Sequence, residues 1–419
     1  MHRRLARWWG WVLGLGAACA PASAARIAQP PDRQTAGAPV LPGIDVLLRD
    51  SVHLVRGRRT GLVTNQTGID ARGVSDITRL RDAGVQLVAL FSPEHGFRGL
   101  AEAGAAVAST VDSATGLPIY SLYGRTSAPT PQMLQGVDLL LVDLQDAGAR
   151  YYTYIGTTID VMAAAARQRI PVIVLDRPDP IGGAVQGNVL DPAYTSAVGR
   201  LAVPMRHGLT MGELALLARA DLGLGTMLTV VPVAGWRRSV VWDETGLPFV
   251  APSPNLRSVE ALFHYPGLCL FEGTALSVGR GSDAPFEQIG APWLDTAAVL
   301  ARVRAARLPG VRFRGTTFTP RAPGDGRFAD TAVVGIRLET TDRRVYDPTT
   351  TAVHLLAAVA AVHPDRIGWM AGHFDRLAAG PGLREAIQAG RDPDEIVGDW
   401  AAGRAAFETR RRPYLLYGE

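Results

Sequence analysis

The stretch Ser92-Pro93-Glu94-His95-Gly96-Phe97-Arg98-Gly99 packs a carboxylic acid, an imidazole and a guanidinium between a proline and two glycines. A loop of that kind, fixed on the end of a strand, can hold a carboxyl against a bond while its neighbours tune its proton affinity. Glu94 is therefore a candidate acid–base group. His95 either orients it or binds a substrate hydroxyl, the alternative being a histidine satisfied within its own turn, and Arg98 is a candidate substrate contact. A second cluster, Asp143-Leu144-Gln145-Asp146, is followed by Arg150, Tyr151, Tyr152 and Tyr154. Tyrosine faces stack on the CH-rich faces of a sugar, and arginine grips a carboxylate through two parallel hydrogen bonds, so the cluster suits an acidic sugar. The competing reading is a buried Arg150 paired with Asp143 or Asp146, with the tyrosines in the core.

Two further segments carry chemistry-bearing side chains. Asp176-Arg177-Pro178-Asp179 closes one apolar run, and Arg206-His207-Gly208-Leu209-Thr210 precedes a helical pattern. Thr210 with Glu213 three residues on has the spacing of a capping box, which makes Glu213 structural and leaves His207 as a candidate ligand contact. The loop from Phe271-Glu272-Gly273 to Gly279-Arg280-Gly281-Ser282-Asp283 adds two acids and an arginine flanked by glycines. Those glycines let the backbone approach a ligand and aim amide hydrogens at an anion. Within it, Ala275-Leu276-Ser277-Val278-Gly279 is a loose variant of a serine-hydrolase elbow, but its first glycine is missing and no apolar strand run leads into it. The chain has no G-x-G-x-x-G after its first strand-like run, no phosphate-binding G-x-x-x-x-G-K and no H-E-x-x-H. Nucleotide and zinc chemistry therefore have little support, and no metal ligand set is expected.

The elements that must position these side chains are legible as a repeating alternation. Apolar runs at residues 61–65, 85–91, 137–143, 171–176 and 228–233 are rich in Val and Leu and nearly continuous, as expected of central parallel strands covered on both faces. Between them, residues 74–83, 157–167 and 211–222 carry helical spacing. The alternation predicts an α/β fold, a Rossmann-like, mostly parallel sheet with helices on both faces. Asn65, Glu94, Asp143 and Asp176 then fall at the carboxyl ends of strands, the edge where such sheets bind ligands. From about residue 263 the alternation breaks. Strand-like runs near 311–319 and 331–339 and helical patterns at 349–362, 382–389 and 394–409 predict a smaller C-terminal α+β domain that completes a cleft. The expected divisions are residues 1–24, 25–42, 43–262 and 263–419.

Bulk properties narrow the setting. With 419 residues and 47% hydrophobic content the chain can bury two cores. Its net charge of +4 comes from arginines alone, with no lysine, and they are scattered rather than striped, which argues against nucleic-acid binding and permits an anionic polymer. Residues 1–24 have a basic start, an apolar run from Trp8 to Ala20 and an Ala22-Ser23-Ala24 cleavage site, the pattern of an export signal. The apolar run is too short for a stable membrane span. Export to the periplasm or the cell exterior is expected, followed by a flexible Ala/Pro/Gly-rich leader over residues 25–42. Lipidation at Cys19 is the weaker reading, because Gly16 stands where a large aliphatic is usual. After cleavage only Cys269 remains, so no internal disulfide can form.

Taken together, several long blocks resemble one family. Gly61-Leu62-Val63-Thr64-Asn65-Gln66-Thr67-Gly68, residues 91–99, 142–154, 175–183 and 204–214, Pro252-Ser253-Pro254-Asn255, residues 269–293 and Arg412-Pro413-Tyr414-Leu415-Leu416-Tyr417 resemble, in order, the NamZ-type exo-β-N-acetylmuramidases, formerly DUF1343. The resemblance runs from Gly43 to the C-terminus. It implies a Rossmann-like catalytic domain and removal, without a cofactor, of a terminal β-1,4-linked N-acetylmuramic acid from the non-reducing end of peptidoglycan fragments. It makes Glu94 the preferred acid and leaves the partner open among Asp143, Asp146, Glu272 and Asp283. Arg150 or Arg280 is the candidate for the lactyl carboxylate, and Asn65, His95, Arg98, Tyr151, Asp176, Arg177, His207 and Asn255 are the further substrate contacts expected. The rival classes are a non-catalytic wall-fragment binding protein and, with less support, a serine esterase or amidase.

Overall fold

A computed structural model describes residues 26–27 and 39–419. Thirteen strands follow in chain order: β1 (Arg26–Ile27), β2 (Arg59–Thr64), β3 (Gln86–Ser92), β4 (Thr110–Val111), β5 (Pro118–Ser121), β6 (Leu139–Asp143), β7 (Val172–Leu175), β8 (Gln186–Val189), β9 (Pro204–Arg206), β10 (Leu228–Val231), β11 (Gln288–Ala291), β12 (Val311–Phe318) and β13 (Val333–Thr340). Eight of them form one sheet in the order β1-β10-β7-β6-β2-β3-β5-β4, in which all neighbours are parallel except the edge pair β4–β5. Counting only β2, β3, β5, β6, β7 and β10 as strands one to six, the order is 3-2-1-4-5-6, that of a doubly wound nucleotide-binding sheet.

Alternate residues of each strand serve opposite faces, and both faces are covered. Val63, Phe91, Leu140, Val142, Val172, Val174 and Val230 pack on one side with helices Tyr154–Gln168 and Met211–Asp221. Leu62, Leu90, Leu141, Ile173, Leu175 and Val231 pack on the other with Ile44 and Leu47 of helix Gly43–Asp50 and Leu80 of helix Asp76–Asp82. This two-sided burial explains why the runs read as continuous rather than alternating. Each such Val, Leu or Ile contributes roughly 1.5–3 kcal/mol on burial.

The remaining chain builds a three-stranded antiparallel sheet, β11-β13-β12, with helices Val259–Leu268, Thr296–Ala305, Pro348–Val362, Ala371–Ala378 and Gly382–Gln388 around it. The point near residue 263 where the alternation breaks lies inside the first of these helices, whose last turn carries His264-Tyr265-Pro266-Gly267 with Pro266 inside it. The single helix expected over 394–409 divides into Pro393–Gly398 and Ala401–Arg411. The second of these returns to the first domain: Phe407 packs with Ile155, Leu209 and Leu214, and Arg410 donates to Ala202 O. Within the stretch read as a leader, β1 pairs with β10 and Leu41 bridges Ala234, so part of it belongs to the sheet. The export signal of residues 1–24, with Cys19, lies outside the described residues. Among those described, no helix is long and apolar enough to cross a membrane.

Candidate active site

β3 ends at Ser92, and Pro93 opens a tight loop in which Gly96 N donates to Pro93 O and His95 takes the left-handed conformation, φ +68°. The loop is closed on itself by two contacts between His95 and Ala101, Nδ1 to the carbonyl at 2.8 Å and Ala101 N to His95 O at 3.1 Å. It delivers Glu94 into a cavity of about 310 Å³ between the two domains. Gly104 N donates to Glu94 Oε1 at 2.9 Å, and Thr153 Oγ1 donates to Oε2 at 2.6 Å. Tyr123 lines the same wall. Its hydroxyl is pushed up to about 12 by burial and by the facing Glu94 charge, so it stays a proton donor at all ordinary pH.

The opposite wall comes from the second domain. Helix Val259–Leu268 runs into a 3-10 turn, Cys269–Gly273, that presents Glu272. Arg280 grips Glu272 Oε1 through Nε at 2.8 Å and Nη2 at 2.7 Å, while its guanidinium lies over the Phe286 ring. Arg327 fixes the turn from behind by donating to Glu272 O and Leu276 O. Gly273 is required where it stands, because a Cβ there would come within 2.5 Å of the Phe374 backbone. That close approach seats helix Ala371–Ala378, which adds His373 and Leu377 to the lining. Burial holds the His373 imidazole below its ordinary pKa, so it is neutral near pH 7. Tyr151, Tyr152, Tyr265 and Phe286 form an edge-to-face aromatic wall. The hydroxyls of Tyr151 and Tyr152 are spent on Pro266 O and Pro252 O, leaving the rings as apolar surface.

Of the expected site residues, Glu94, His95, Tyr151, Glu272 and Arg280 meet in this cavity. The others go elsewhere, for identifiable reasons. Asp143 pairs with Arg177 beside Asp76, all buried, and Arg177 also donates to Ile69 O; burial and the Asp143 charge raise Asp76 well above the usual carboxylate range. Asp146 accepts from Gly148 N and from His207 Nε2. His207 Nδ1 accepts from Leu209 N, so its proton sits on Nε2 and the ring is a buried structural link. Asp176 is saturated by Arg177 N, Gly212 N, Thr210 Oγ1 and Tyr417 OH. Arg150 is buried among Asn188 O, Val203 O and Leu377 O and ties the domains together rather than facing a ligand. Asn65 donates to Tyr154 OH, Asn255 to Glu102, and Arg98 opens onto a separate groove with Phe97 and Leu100. Asp283 is solvent-exposed. Ser277 is buried, its Oγ accepting from Gly279 N, and lies outside the cavity lining. The Thr210–Glu213 capping box is present as expected, with Glu213 also bound by Arg238 and Leu416 N.

Comparison with known proteins decides the family. Residues 60–260 match the family described as Exo-beta-N-acetylmuramidase NamZ, N-terminal, and residues 263–417 match its C-terminal counterpart. The chain belongs to the NamZ exo-β-N-acetylmuramidase family. It is 41% identical over 388 residues to the peptidoglycan beta-N-acetylmuramidase NamZ of Bacillus subtilis strain 168, covering 92% of this chain and 93% of that one. Two crystal structures of DUF1343 family proteins from Bacteroides fragilis NCTC 9343 superpose on it. One has a TM-score of 0.83 at 34% identity, over 90% of this chain and 99% of that one; the other has 0.73 at 31%, over 91% and 100%.

For a NamZ-family chain the cavity has an apt construction: two carboxyls on opposing domains, an arginine beside one of them, and aromatic walls between. Several contributors escaped sequence reasoning. Thr153 and Gly104, which hold Glu94, were passed over because neither carries a charge. Tyr123 and His373 sit in stretches with no motif around them, whereas Phe286 closes the glycine-rich loop of Arg280 and Tyr265 precedes Pro266 where the alternation breaks. Thr153 lies between tyrosines already singled out, the one usable signal.

Proposed function

We propose that this protein is an exo-acting glycoside hydrolase that releases a terminal β-1,4-linked N-acetylmuramic acid from the non-reducing end of peptidoglycan fragments, with Glu94 as proton donor and Glu272 as its partner. The observation that carries the pairing is that Glu272 alone among the four partner candidates lines the cavity with Glu94. A cavity of about 310 Å³ is at the small end of ligand pockets and suits one sugar rather than a continuing chain, which supports exo action.

The chemistry follows from the geometry. Glu94 transfers its proton to the glycosidic oxygen as the C1–O bond breaks, and the bonding pair leaves with that oxygen. Positive charge develops at C1, and the Glu272 carboxylate, held by Arg280, is the negative group available to stabilise it. Water then adds to C1, its proton returns to a carboxylate, and N-acetylmuramic acid and a fragment one sugar shorter are released. Nη1 of Arg280, without a hydrogen bond among the described residues, is suited to the lactyl carboxylate, since Nε and Nη2 are engaged by Glu272.

The test is incubation with a muramyl disaccharide in both linkage orders, followed by chromatography. Free N-acetylmuramic acid is expected only when it occupies the non-reducing end. Cleavage of both orders, or of neither, overturns the reading. Proton NMR of the first-formed anomer distinguishes a retained configuration, with a covalent or acetamido-assisted intermediate, from an inverted one. Export is part of the same proposal, supported by the pattern of residues 1–24. Cell fractionation checks it, and a full-length cytoplasmic product would refute it.

A further inference from the structure

His95 follows Glu94 directly and belongs to the same cavity wall. Its Nδ1 stands 2.8 Å from the carbonyl oxygen of Ala101. A carbonyl only accepts, so Nδ1 carries the hydrogen, and in the neutral ring the lone pair is left on Nε2. Burial, the largest influence on the ring, lowers its pKa from the ordinary histidine value and favours that neutral form, although the Glu94 charge opposes it. Nε2 has no hydrogen-bond partner among the described residues. Many of the neighbouring polar atoms are committed: Thr153 Oγ1 and Gly104 N to Glu94, the Tyr151 and Tyr152 hydroxyls to backbone carbonyls, Arg280 Nε and Nη2 to Glu272. His95 Nε2 is thus an uncommitted neutral acceptor beside the reacting bond, in a tautomer that the loop itself sets.

We infer that His95 Nε2 accepts a hydrogen bond from a donor on the terminal sugar, its 4-hydroxyl, its 6-hydroxyl or its acetamido N–H, and so acts as a specificity-determining residue. The inference rests on the muramidase reading above. It assigns His95 two separable jobs: Nδ1–H clamps the loop through Ala101, and Nε2 reads the substrate. A merely structural histidine would have only the first.

His95→Asn separates them. Asparagine tolerates the positive φ, and its side-chain amide can donate to Ala101 O from nearly the place of Nδ1, while nothing replaces Nε2. With a chromogenic N-acetylmuramic acid glycoside, the variant is expected to keep kcat within about twofold and to raise KM about five- to tenfold, the loss of one neutral hydrogen bond. Three substrate analogues locate the donor: 4-deoxy, 6-deoxy and a 2-acetoxy analogue without the N–H. One of them should lose the same factor with the wild type and lose nothing further with His95→Asn, a closed double-mutant cycle. Unchanged KM in a folded variant, or full losses for all three analogues in both proteins, overturns the inference.

Should His95→Asn fail to fold, imidazole nitrogen NMR of the full-length Glu94→Gln protein reads the same contact. The Nε2 resonance should move on binding of the glycoside while Nδ1 stays protonated, and an unmoved Nε2 refutes the contact. Failure of the underlying reading looks different, because Glu94→Gln would then retain turnover whatever His95 does.

Discussion

Glu94→Gln is the sharpest test of the site, because the structure allows stability and activity to be predicted separately. Glu94 is almost fully buried; Gly104 N–H donates to one oxygen at 2.9 Å and Thr153 Oγ1 to the other at 2.6 Å, and the Tyr123 hydroxyl also bonds the carboxyl. Glutamine has the same shape. Its carbonyl oxygen can keep the Gly104 amide, and its NH₂ can donate to Thr153 once the hydroxyl rotates to accept. In the protonated acid that proton donation requires, both contacts are already between neutral groups, so the amide keeps them at little cost. The net change in unfolding free energy should lie within about 1 kcal/mol, a few degrees in Tm at most. An amide, however, has no proton to give to a departing oxygen. Removing general-acid assistance lowers kcat by about 10²–10⁴, or roughly 3–5 kcal/mol of barrier. Urea denaturation gives the first quantity and release of the chromogenic muramic acid glycoside the second. A folded variant with more than a tenth of wild-type kcat would refute the assignment.

Other substitutions probe the rest of the frame. Glu272→Gln strands the Arg280 guanidinium, whose side chain is only 10% exposed, and should cost about 3 kcal/mol of stability as well as activity. Adding Arg280→Met should restore the stability measured in urea but leave the activity lost; recovery of both would remove Glu272 from the reaction. Tyr417→Phe deletes a hydrogen bond into the Asp176 carboxylate and should destabilise by about 2 kcal/mol while kcat/KM stays near wild type, since both groups lie outside the cavity. Asp179 is lifted by burial from 3.8 to about 7. A raised folded-state value means that its stabilising contribution is complete below about pH 4 and disappears as pH rises through 7. Asp179→Asn should therefore match the wild type in Tm near pH 4 and exceed it at pH 8, and equal Tm values at pH 8 would contradict that sign.

How much was legible depended on whether a residue's partners were close in sequence. The five central strands were readable because both their faces are buried, which writes continuous apolar runs into the chain. β5, β8 and β9 were not, being short and containing Pro118, Gly187 or Pro204 among residues of mixed polarity. The capping box at Thr210 and Glu213 was readable because its two members lie three residues apart. The acids resisted. Asp143, Asp176 and Glu94 all close strand-like runs and look alike in sequence. What separates them is which donors find them: Asp176 is saturated by residues 177, 210, 212 and 417, the last 241 positions away, and Asp143 is paired through one oxygen with Arg177, while Glu94 and Glu272 face open volume. Arg150 was misjudged as a ligand contact for the same reason, because its carbonyl partners come from residues 188, 203 and 377.

The strand order raises a question that the polar side chains answer. In a 3-2-1-4-5-6 sheet the ligand crevice opens between strands one and four, here β2 and β6, where Thr64 stands level with Asp143. That crevice is filled by the protein itself. After β2 the chain reads Asn65-Gln66-Thr67-Gly68 in place of a glycine-rich phosphate turn; Asn65 Oδ1 takes Thr67 N and Oγ1, Thr67 Oγ1 takes Gln145 N, and Arg177 crosses to Asp143. The open space at the end of β2 lies instead on its β3 side, in the groove of about 890 Å³ lined by Thr64, Asn65, Gln66, Phe97 and Arg98. The plug instead works as a support for the site next door. Asn65 Nδ2 donates to Tyr154 OH at 2.7 Å, and that hydroxyl reaches Glu94 O at 3.2 Å, so the packed crevice braces the backbone of the loop that carries the acid. The cavity is thereby displaced by one strand, to the end of β3, where no neighbouring strand end supplies a second carboxyl. The second carboxyl lining the cavity accordingly belongs to the other domain: Glu272, 178 positions along the chain from Glu94.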